Sequence, residues 1–401
     1  MTAPVPIVSG NGALLFDEAG NSYIDAISSW WVNIHGHAHP YIAEKIYEQS
    51  RKLEHVIFTG FTHEPAILLA ERLLPILPGN FSRIFYSDNG STAVEVAIKM
   101  SIQYWNNKSA KRTKILAFRH SYHGDTFGSM SVSERSVFTA AFDDYLFEVI
   151  FLDTPSADNI EDLKRRVKQF SGEIACFIFE PLLQGAGGMR IYDPVLMDEI
   201  LHEIQSEDII CIADEVLTGF GRTGKLFAGE YLKHKADIIC LSKGLTGGTM
   251  ALGITACTQK IFEAFLSDNR SKTFFHGHSF TANPIACTAA LASLDLLQQE
   301  DCLGRIQNIT LRNERFAGWL ESFDQEQRIK NIRQLGTVIA FEITAGNDGY
   351  LNNISLAITK QAMENGVYLR PLGNTVYIMP PYCITEEEMD KVYNFLSGLT
   401  K

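Results

Sequence analysis

The sequence predicts an α/β protein: a mainly parallel sheet covered by helices on both faces, plus a smaller α+β domain. Five short runs (residues 114–118, 149–152, 175–179, 209–213 and 238–241) are almost wholly apolar, as strands buried on both faces are. Helical stretches lie between several of them, notably 158–170 and 194–205, which is how parallel strands are joined. The 401 residues exceed what one simple core accommodates, so two packed units are expected.

In chain order, residues 12–27 read as two strands joined by a turn at Glu18-Ala19-Gly20-Asn21. Residues 28–40, SSWWVNIHGHAHP, form a dense aromatic and histidine patch. Segments 43–53 and 64–77 have helical spacing, and 83–86 is a short strand ending at Ser87-Asp88-Asn89-Gly90-Ser91. The next helix puts Val94, Ala97, Ile98 and Ile102 on one face. After the five apolar strands, 284–299 forms a long helix leading out of the large domain. Helices near 303–323 and 355–365 follow, with strands near 338–343, 367–370 and 376–379. The last helix starts at a capping box, Thr385 to Glu388, and carries Met389, Val392, Tyr393 and Leu396 on one face. No repeat or long linker interrupts the chain. The expected division is a large domain over 28–297 and a small one built from both chain ends, 1–27 and 298–401.

Composition excludes several classes. A hydrophobic fraction of 46% and a charged fraction of 20% are ordinary for a soluble globular protein. A net charge of -12 argues against a nucleic-acid partner. The seven cysteines lack metal-type spacing, and Cys176, Cys211 and Cys240 sit in apolar runs. That usage fits a reducing cytoplasm. The first ten residues have no basic start or apolar core of a signal peptide, and no stretch is long and apolar enough to span a membrane.

In such a sheet, ligands bind beyond the carboxyl ends of the strands. The run 238–241 ends in Ser242-Lys243 and then glycine. A lysine partly desolvated at a strand end has a lowered pKa and becomes a nucleophile toward carbonyls. Residues 209–213 lead into Asp214-Glu215, and a carboxylate buried there needs a cation. Gly90-Ser91 opens a helix whose free N–H groups suit a phosphate. Together, a lysine for a Schiff base, an acid for a pyridinium nitrogen and an anion cradle are what pyridoxal 5'-phosphate needs. Residues 219–225, GFGRTGK, have P-loop spacing, but Leu226 stands where a magnesium-binding Ser or Thr should be. His35, His37 and His39, with His276 and His278, have no cysteine or carboxylate to complete a tetrahedral set, so no metal is expected.

Over nearly its whole length the sequence resembles the class III, or ω-amino, aminotransferases of fold type I. The resemblance rests on Asp214-Glu215, Thr218-Gly219-Phe220-Gly221-Arg222-Thr223-Gly224 and Ser242-Lys243-Gly244. Narrower motifs are similar to the branch that makes diaminopelargonic acid for biotin. They are Ser28-Ser29-Trp30-Trp31, the run from Tyr122 to Gly128, the run from Gln184 to Arg190, Leu245 to Thr249, and Arg370-Pro371 with Met379-Pro380-Pro381. The resemblance implies that Lys243 carries the cofactor, Asp214 pairs with its ring nitrogen, Gly90 and Ser91 bind its phosphate and Tyr122 stacks on its ring. Trp30 and Trp31 would line the pocket for a long, mostly apolar keto acid, 8-amino-7-oxononanoate, and Arg370 would pair with its far carboxylate. His276, Gly277, His278 and Ser279 would belong to a loop reaching the partner subunit's cofactor, so a homodimer with shared active sites is implied. Class members often carry glutamine three residues after the aspartate. Leu217 stands there, as an apolar residue does in the biotin branch. S-adenosylmethionine is the implied amino donor. Relatives that use it often have an amino-terminal extension with an aromatic, whereas this chain begins almost at the hairpin, so lysine is the alternative. Another ω-aminotransferase, a decarboxylase or aminomutase of the same cofactor, and a non-catalytic cofactor-binding protein are the rival readings.

Overall fold

Alternating side chains and one aspartate set up the amino-terminal end. Strands β1 (Ile7–Asn11), β2 (Leu14–Asp17) and β3 (Ser22–Asp25) form an antiparallel meander. Its second turn is fixed by Asp17, whose carboxylate accepts from the Ala19 and Asn21 amides at 3.0 and 2.8 Å, an Asx-type turn. This computed structural model describes residues 4–323, 328–346 and 348–400. Positions 1–3, 324–327, 347 and 401 of the expected small-domain segments lie outside the described residues. Strand β1 was not expected from the sequence, because its residues are mostly exposed and lack an apolar face.

The large sheet comes next in the chain. It contains β4 (Phe81–Ser87), β5 (Lys114–Phe118), β6 (Ile150–Leu152) and β7 (Ile174–Phe179). A two-residue hairpin, β8 (Leu183–Gln184) with β9 (Arg190–Ile191), stands apart. Then β10 (Ile210–Asp214), β11 (Ile238–Leu241) and β12 (Gly253–Thr258) complete the sheet, in the order β4-β12-β11-β10-β7-β5-β6. β12 runs antiparallel to both neighbours, and the other adjacent pairs are parallel. β4 therefore points the same way as β5, β6, β7, β10 and β11, and their carboxyl ends share one edge. Every residue of β7, β10 and β11 is buried, which explains their unbroken apolar character. β12 was not expected: its glycine, alanine and threonines make no apolar run. Buried Thr255 is satisfied by donating to the Ala93 carbonyl of helix Gly90–Asn107 at 2.7 Å.

That helix crosses the sheet with Val94, Ala97 and Ile98 buried, while Ile102 is exposed and lies off the expected face. The expected helix over 64–77 stops at Leu73, and a 3-10 turn, Leu74–Ile76, takes over at Pro75, which has no N–H for the ladder. The capping box at Thr385 and Glu388 is present. The carboxyl-terminal segment adds β13 (Ile329–Leu335), β14 (Val338–Ile343), β15 (Val367–Tyr368) and β16 (Thr375–Ile378). Strands β13, β14 and β16 form one sheet, and β15 pairs parallel with β3. β13 escaped notice because charged residues interrupt it and its register shifts between Lys330 and Arg333. Arg370 lies just past β15 rather than within a strand.

Candidate active site

The shared carboxyl edge of the large sheet gathers the polar residues that follow its strands. β4 leads to Asp88 and Asn89, and Asn89 caps the helix: its side chain accepts from the Thr92 amide at 3.0 Å while Thr92 Oγ1 accepts from the Asn89 amide at 3.0 Å. The first helical position, Gly90, carries no side chain. A Cβ at Gly90 would come within 2.7 Å of Val216, and one at Gly124 (φ +133) within 2.0 Å of Ser91 Oγ. Side chains are thus kept off a helix N-terminus that lines a cleft, which is the surface an anionic group requires. Ser91 Oγ also accepts from the Asp125 amide at 3.2 Å, tying this turn to the loop after β5.

β10 and β7 end in carboxylates. Asp214 is 4% exposed, and its Oδ2 lies 2.6 Å from His123 Nδ1. The other ring nitrogen of His123 is buried without a partner among the described residues. Glu215, the next residue, turns the other way: it accepts from the Thr218 hydroxyl at 2.9 Å and the Ala228 and Gly229 amides at 2.9 and 2.6 Å. Burial pushes its carboxyl up to about 7. Glu180 follows β7 and accepts from the Tyr122 and Gly185 amides at 3.1 and 2.9 Å. Burial, aided by Asp214 and opposed by His123, raises its carboxyl to about 7 as well. Sequence reasoning passed over His123 and Glu180. Glu180 was findable, because it ends an apolar strand just as Asp214 does.

β11 ends at Leu241, and Lys243 follows in the left-handed region, φ +48, a conformation that side chains other than glycine rarely adopt. Its amine lies 4.7 Å from the Trp31 ring centroid. Burial lowers the amine to about 8, against the opposing pull of Asp214 and Glu180. At neutral pH roughly a tenth of such amines are neutral and nucleophilic, against well under a thousandth for an ordinary lysine.

Trp30, Trp31, Gly90, Ser91, Tyr122, His123, Glu180, Asp214 and Lys243 all line one cleft of about 420 Å³. A second chamber of about 540 Å³ adjoins it and shares Tyr122, Gly124 and Ala186. Arg370 lines neither chamber; its guanidinium lies 3.9 Å over the ring of Trp30, which lines the first and is 57% exposed. The loop with Gly277, His278 and Ser279 is not brought into this cleft. His276 accepts from Lys99 at 2.8 Å, His278 lies 3.3 Å from Asp88, and Ser279 is exposed. The P-loop-like residues 219–225 do not line the cleft either; Phe220, Arg222 and Thr223 are buried against the carboxyl-terminal segment. His35 is a core residue bonded to the Ser293 carbonyl at 3.0 Å, and His37 pairs with Asp25 at 2.9 Å.

These residues suit pyridoxal phosphate on the structure's own terms. The helix N-terminus at Gly90–Ser91 fits its phosphate, buried Asp214 has no Lys or Arg ion-pair partner among the described residues, and the softened amine of Lys243 fits its aldehyde. A family model described as aminotransferase class-III matches residues 1–399. An adenosylmethionine-8-amino-7-oxononanoate aminotransferase from Synechococcus elongatus is 47% identical, with 99% of this chain and 95% of that protein covered. One from Geobacter sulfurreducens is 39% identical, covering 96% and 90%. The crystal structure of the enzyme of that name from Methanocaldococcus jannaschii matches with a TM-score of 0.93 at 33% identity, over 100% of this chain and 93% of that one. A PLP-bound amine transaminase from an uncultivated Pseudomonas species matches with a TM-score of 0.92 at 29% identity, over 99% and 95%.

Proposed function

The chain belongs to the class-III aminotransferases, and from that premise we propose that it moves an amino group from S-adenosylmethionine to 8-amino-7-oxononanoate, giving 7,8-diaminononanoate for biotin synthesis. The observation that carries this reading is the convergence of Lys243, Asp214, the Gly90–Ser91 turn and the paired tryptophans on one cleft. Lysine is the alternative donor for the same acceptor. The cofactor is pyridoxal 5'-phosphate, which when bound supplies the electron sink that amino-group transfer needs.

The chain's own residues divide the work. Lys243 would hold the cofactor and, with its amine free, would move a proton from the donor's Cα and later to C7 of the acceptor. Asp214, oriented by His123, keeps a positive charge opposite it. Gly90 and Ser91 would hold the phosphate, and Tyr122 would cover the ring. Trp30 and Trp31 exclude water along the apolar chain of the acceptor, and Arg370 binds its carboxylate.

The large and small domains, 28–297 and 1–27 with 298–401, are part of the same proposal; the pairing of β15 with β3 supports joining the two chain ends. So is a homodimer in which Gly277, His278 and Ser279 complete the partner's site. Its support is that this loop lies outside its own cleft and exposes Phe275 and Phe280, 74% and 62%. A cytoplasmic location fits the seven free cysteines, and no helix among the described residues is long and apolar enough to cross a membrane.

The test follows the two halves separately. Donor alone, S-adenosylmethionine or lysine, should bleach the visible absorbance of the holoenzyme, and 8-amino-7-oxononanoate should then restore it. Bleaching without recovery removes the acceptor assignment, and the donor that bleaches fixes the other half.

A further inference from the structure

We infer that Arg333, on β13, is a positioning residue for this site: it pins the tip of the β8–β9 hairpin, part of the wall that the two chambers share, to the carboxyl-terminal segment. The inference rests on the reading of 8-amino-7-oxononanoate as the acceptor.

The tip runs from Gly185 to Met189, between strands of two residues each. Strands that short do not fix their own turn. Ala186 lines both chambers, and Gly187 and Gly188 line the second. The backbone around the tip is unfavourable. Leu182 and Met189 are buried with φ of 63 and 52, the left-handed region that residues with a Cβ avoid. Gly187 is packed so closely that a Cβ would come within 2.0 Å of the His120 carbonyl oxygen. Such a conformation persists only when bonds from outside over-determine it.

Those bonds come from two sides. On the large-sheet side, Glu180 accepts from the Gly185 amide at 2.9 Å, and Gln184 Nε2 donates to the Arg119 carbonyl at 2.7 Å. On the other side, Arg333 Nε donates to the Met189 carbonyl at 2.8 Å, and one terminal nitrogen donates to the Gly188 carbonyl. The second terminal nitrogen donates to the Asn331 carbonyl at 2.5 Å and lies 3.1 Å from Glu342. Asn331 Nδ2 donates to the same carboxylate at 2.9 Å, and both Asn331 and Glu342 line the second chamber. The arginine fork thus grips two consecutive carbonyls of the tip, which a single ammonium cannot copy. Its side chain is only 14% exposed, so water does little to weaken these bonds.

The place of Arg333 decides what it can influence. Lys243, Asp214 and Gly90 follow β11, β10 and β4 and are held without it. The part that moves with the tip is Ala186, which stands with Tyr122 between the two chambers. Loosening Arg333 should therefore change how substrate is received and leave the hold on the cofactor intact.

Arg333→Lys keeps a charge beside Glu342 and loses the fork; Arg333→Met keeps a stem of similar reach and loses both. Hydrogen exchange of the holoenzymes, read peptide by peptide by mass spectrometry, follows the tip directly. In both variants the amides of residues 183–191 should exchange roughly tenfold faster than in wild type, the worth of one charged hydrogen bond, while β7, β10 and β11 keep their wild-type rates. The KM for 8-amino-7-oxononanoate should rise roughly tenfold as well, with kcat and cofactor retention within about twofold. Faster exchange in every strand would mean general loosening, and a faster tip with KM unmoved would make Arg333 a stabiliser only; either result overturns the inference, as does a tip that exchanges as in wild type. Circular dichroism selects conditions where each variant is folded, and Arg333→Lys carries the test if the methionine variant does not fold. If wild type does not turn over the keto acid, the function fails. Exchange at the tip, with the half-saturating concentration of the donor that bleaches the holoenzyme, then still decides for or against Arg333.

Discussion

The floor of the cleft and its rim are built by opposite means. The floor is the carboxyl edge of the large sheet: Asp214, Glu180 and Lys243 follow wholly buried strands and are fixed by hydrogen bonds or burial. The rim is made of exposed or strained pieces. Trp30 is 57% exposed and stacked on Arg370, Tyr122 lines both chambers, and the loop with Ser279 touches the cleft only through the contact of His278 with Asp88. Rigid strand ends hold groups whose protonation must be controlled, while the rim presents exposed side chains suited to recognition. Substitutions on the floor should therefore abolish chemistry, and those on the rim should shift recognition.

The sharpest break is Lys243→Ala. Borohydride should fix the cofactor covalently to wild type and not to this variant, and transamination should fall at least roughly a thousandfold. A covalent product at full yield in the variant would place the reactive amine elsewhere. Next, Asp214→Asn leaves His123 without its carboxylate and the cofactor's ring nitrogen without an anion. The expected loss is roughly 10²- to 10³-fold in kcat, read by steady-state kinetics with cofactor content measured in parallel. A smaller effect follows at the rim. Arg370→Ala should raise the KM for the keto acid roughly ten- to a hundredfold, as loss of a paired carboxylate does, with cofactor retention within about twofold. Equal losses in both would make Arg370 part of the floor.

The same division decides what the sequence discloses. Lys243 and Asp214 were legible because an apolar strand ending in a charged residue is a local pattern. Gly90 and Ser91 were legible as a strand-to-helix junction. Glu180 has the same pattern and was overlooked, while His123 stood unassigned inside a motif read for its tyrosine. The left-handed backbone at Ser28, Ser29 and Trp31 is invisible in residue types that ordinarily avoid it. Arg222 stood in a motif whose P-loop spacing Leu226 spoke against, and its partners are carbonyls of residues far along the chain. β12 shows the same limit in the fold: Thr255 is comfortable in the core only because the Ala93 carbonyl lies beside it.

The smallest expected effect tests the boundary of the floor at its narrowest point, between adjacent residues. Glu215 touches Asp214 in sequence but belongs to the scaffold. Its carboxyl is raised from 4.5 to about 7 by burial, against the pull of the Gly229 and Ala228 amides and Thr218. Between those values the folded protein binds a proton that the unfolded chain has lost, so stability is fully present below about pH 4.5 and declines as pH rises through 7. Glu180, raised in the same way, adds its own share over the same window. Each contributes a slope on the order of 1.4 kcal/mol per pH unit. Glu215→Gln removes one share, so between pH 5 and 7 the slope of stability against pH should become more positive by about 1.4 kcal/mol per pH unit than in wild type, read by isothermal denaturant unfolding. Glutamine Oε1 can still accept from Gly229, but its amide faces the Ala228 N–H, so relief from burying a charge is partly cancelled by one lost acceptor. At pH 8 the net change should stay within about 1 kcal/mol, and kcat within about twofold, because Glu215 does not line the cleft. A large loss of kcat with an unchanged stability slope would move Glu215 onto the floor beside Asp214.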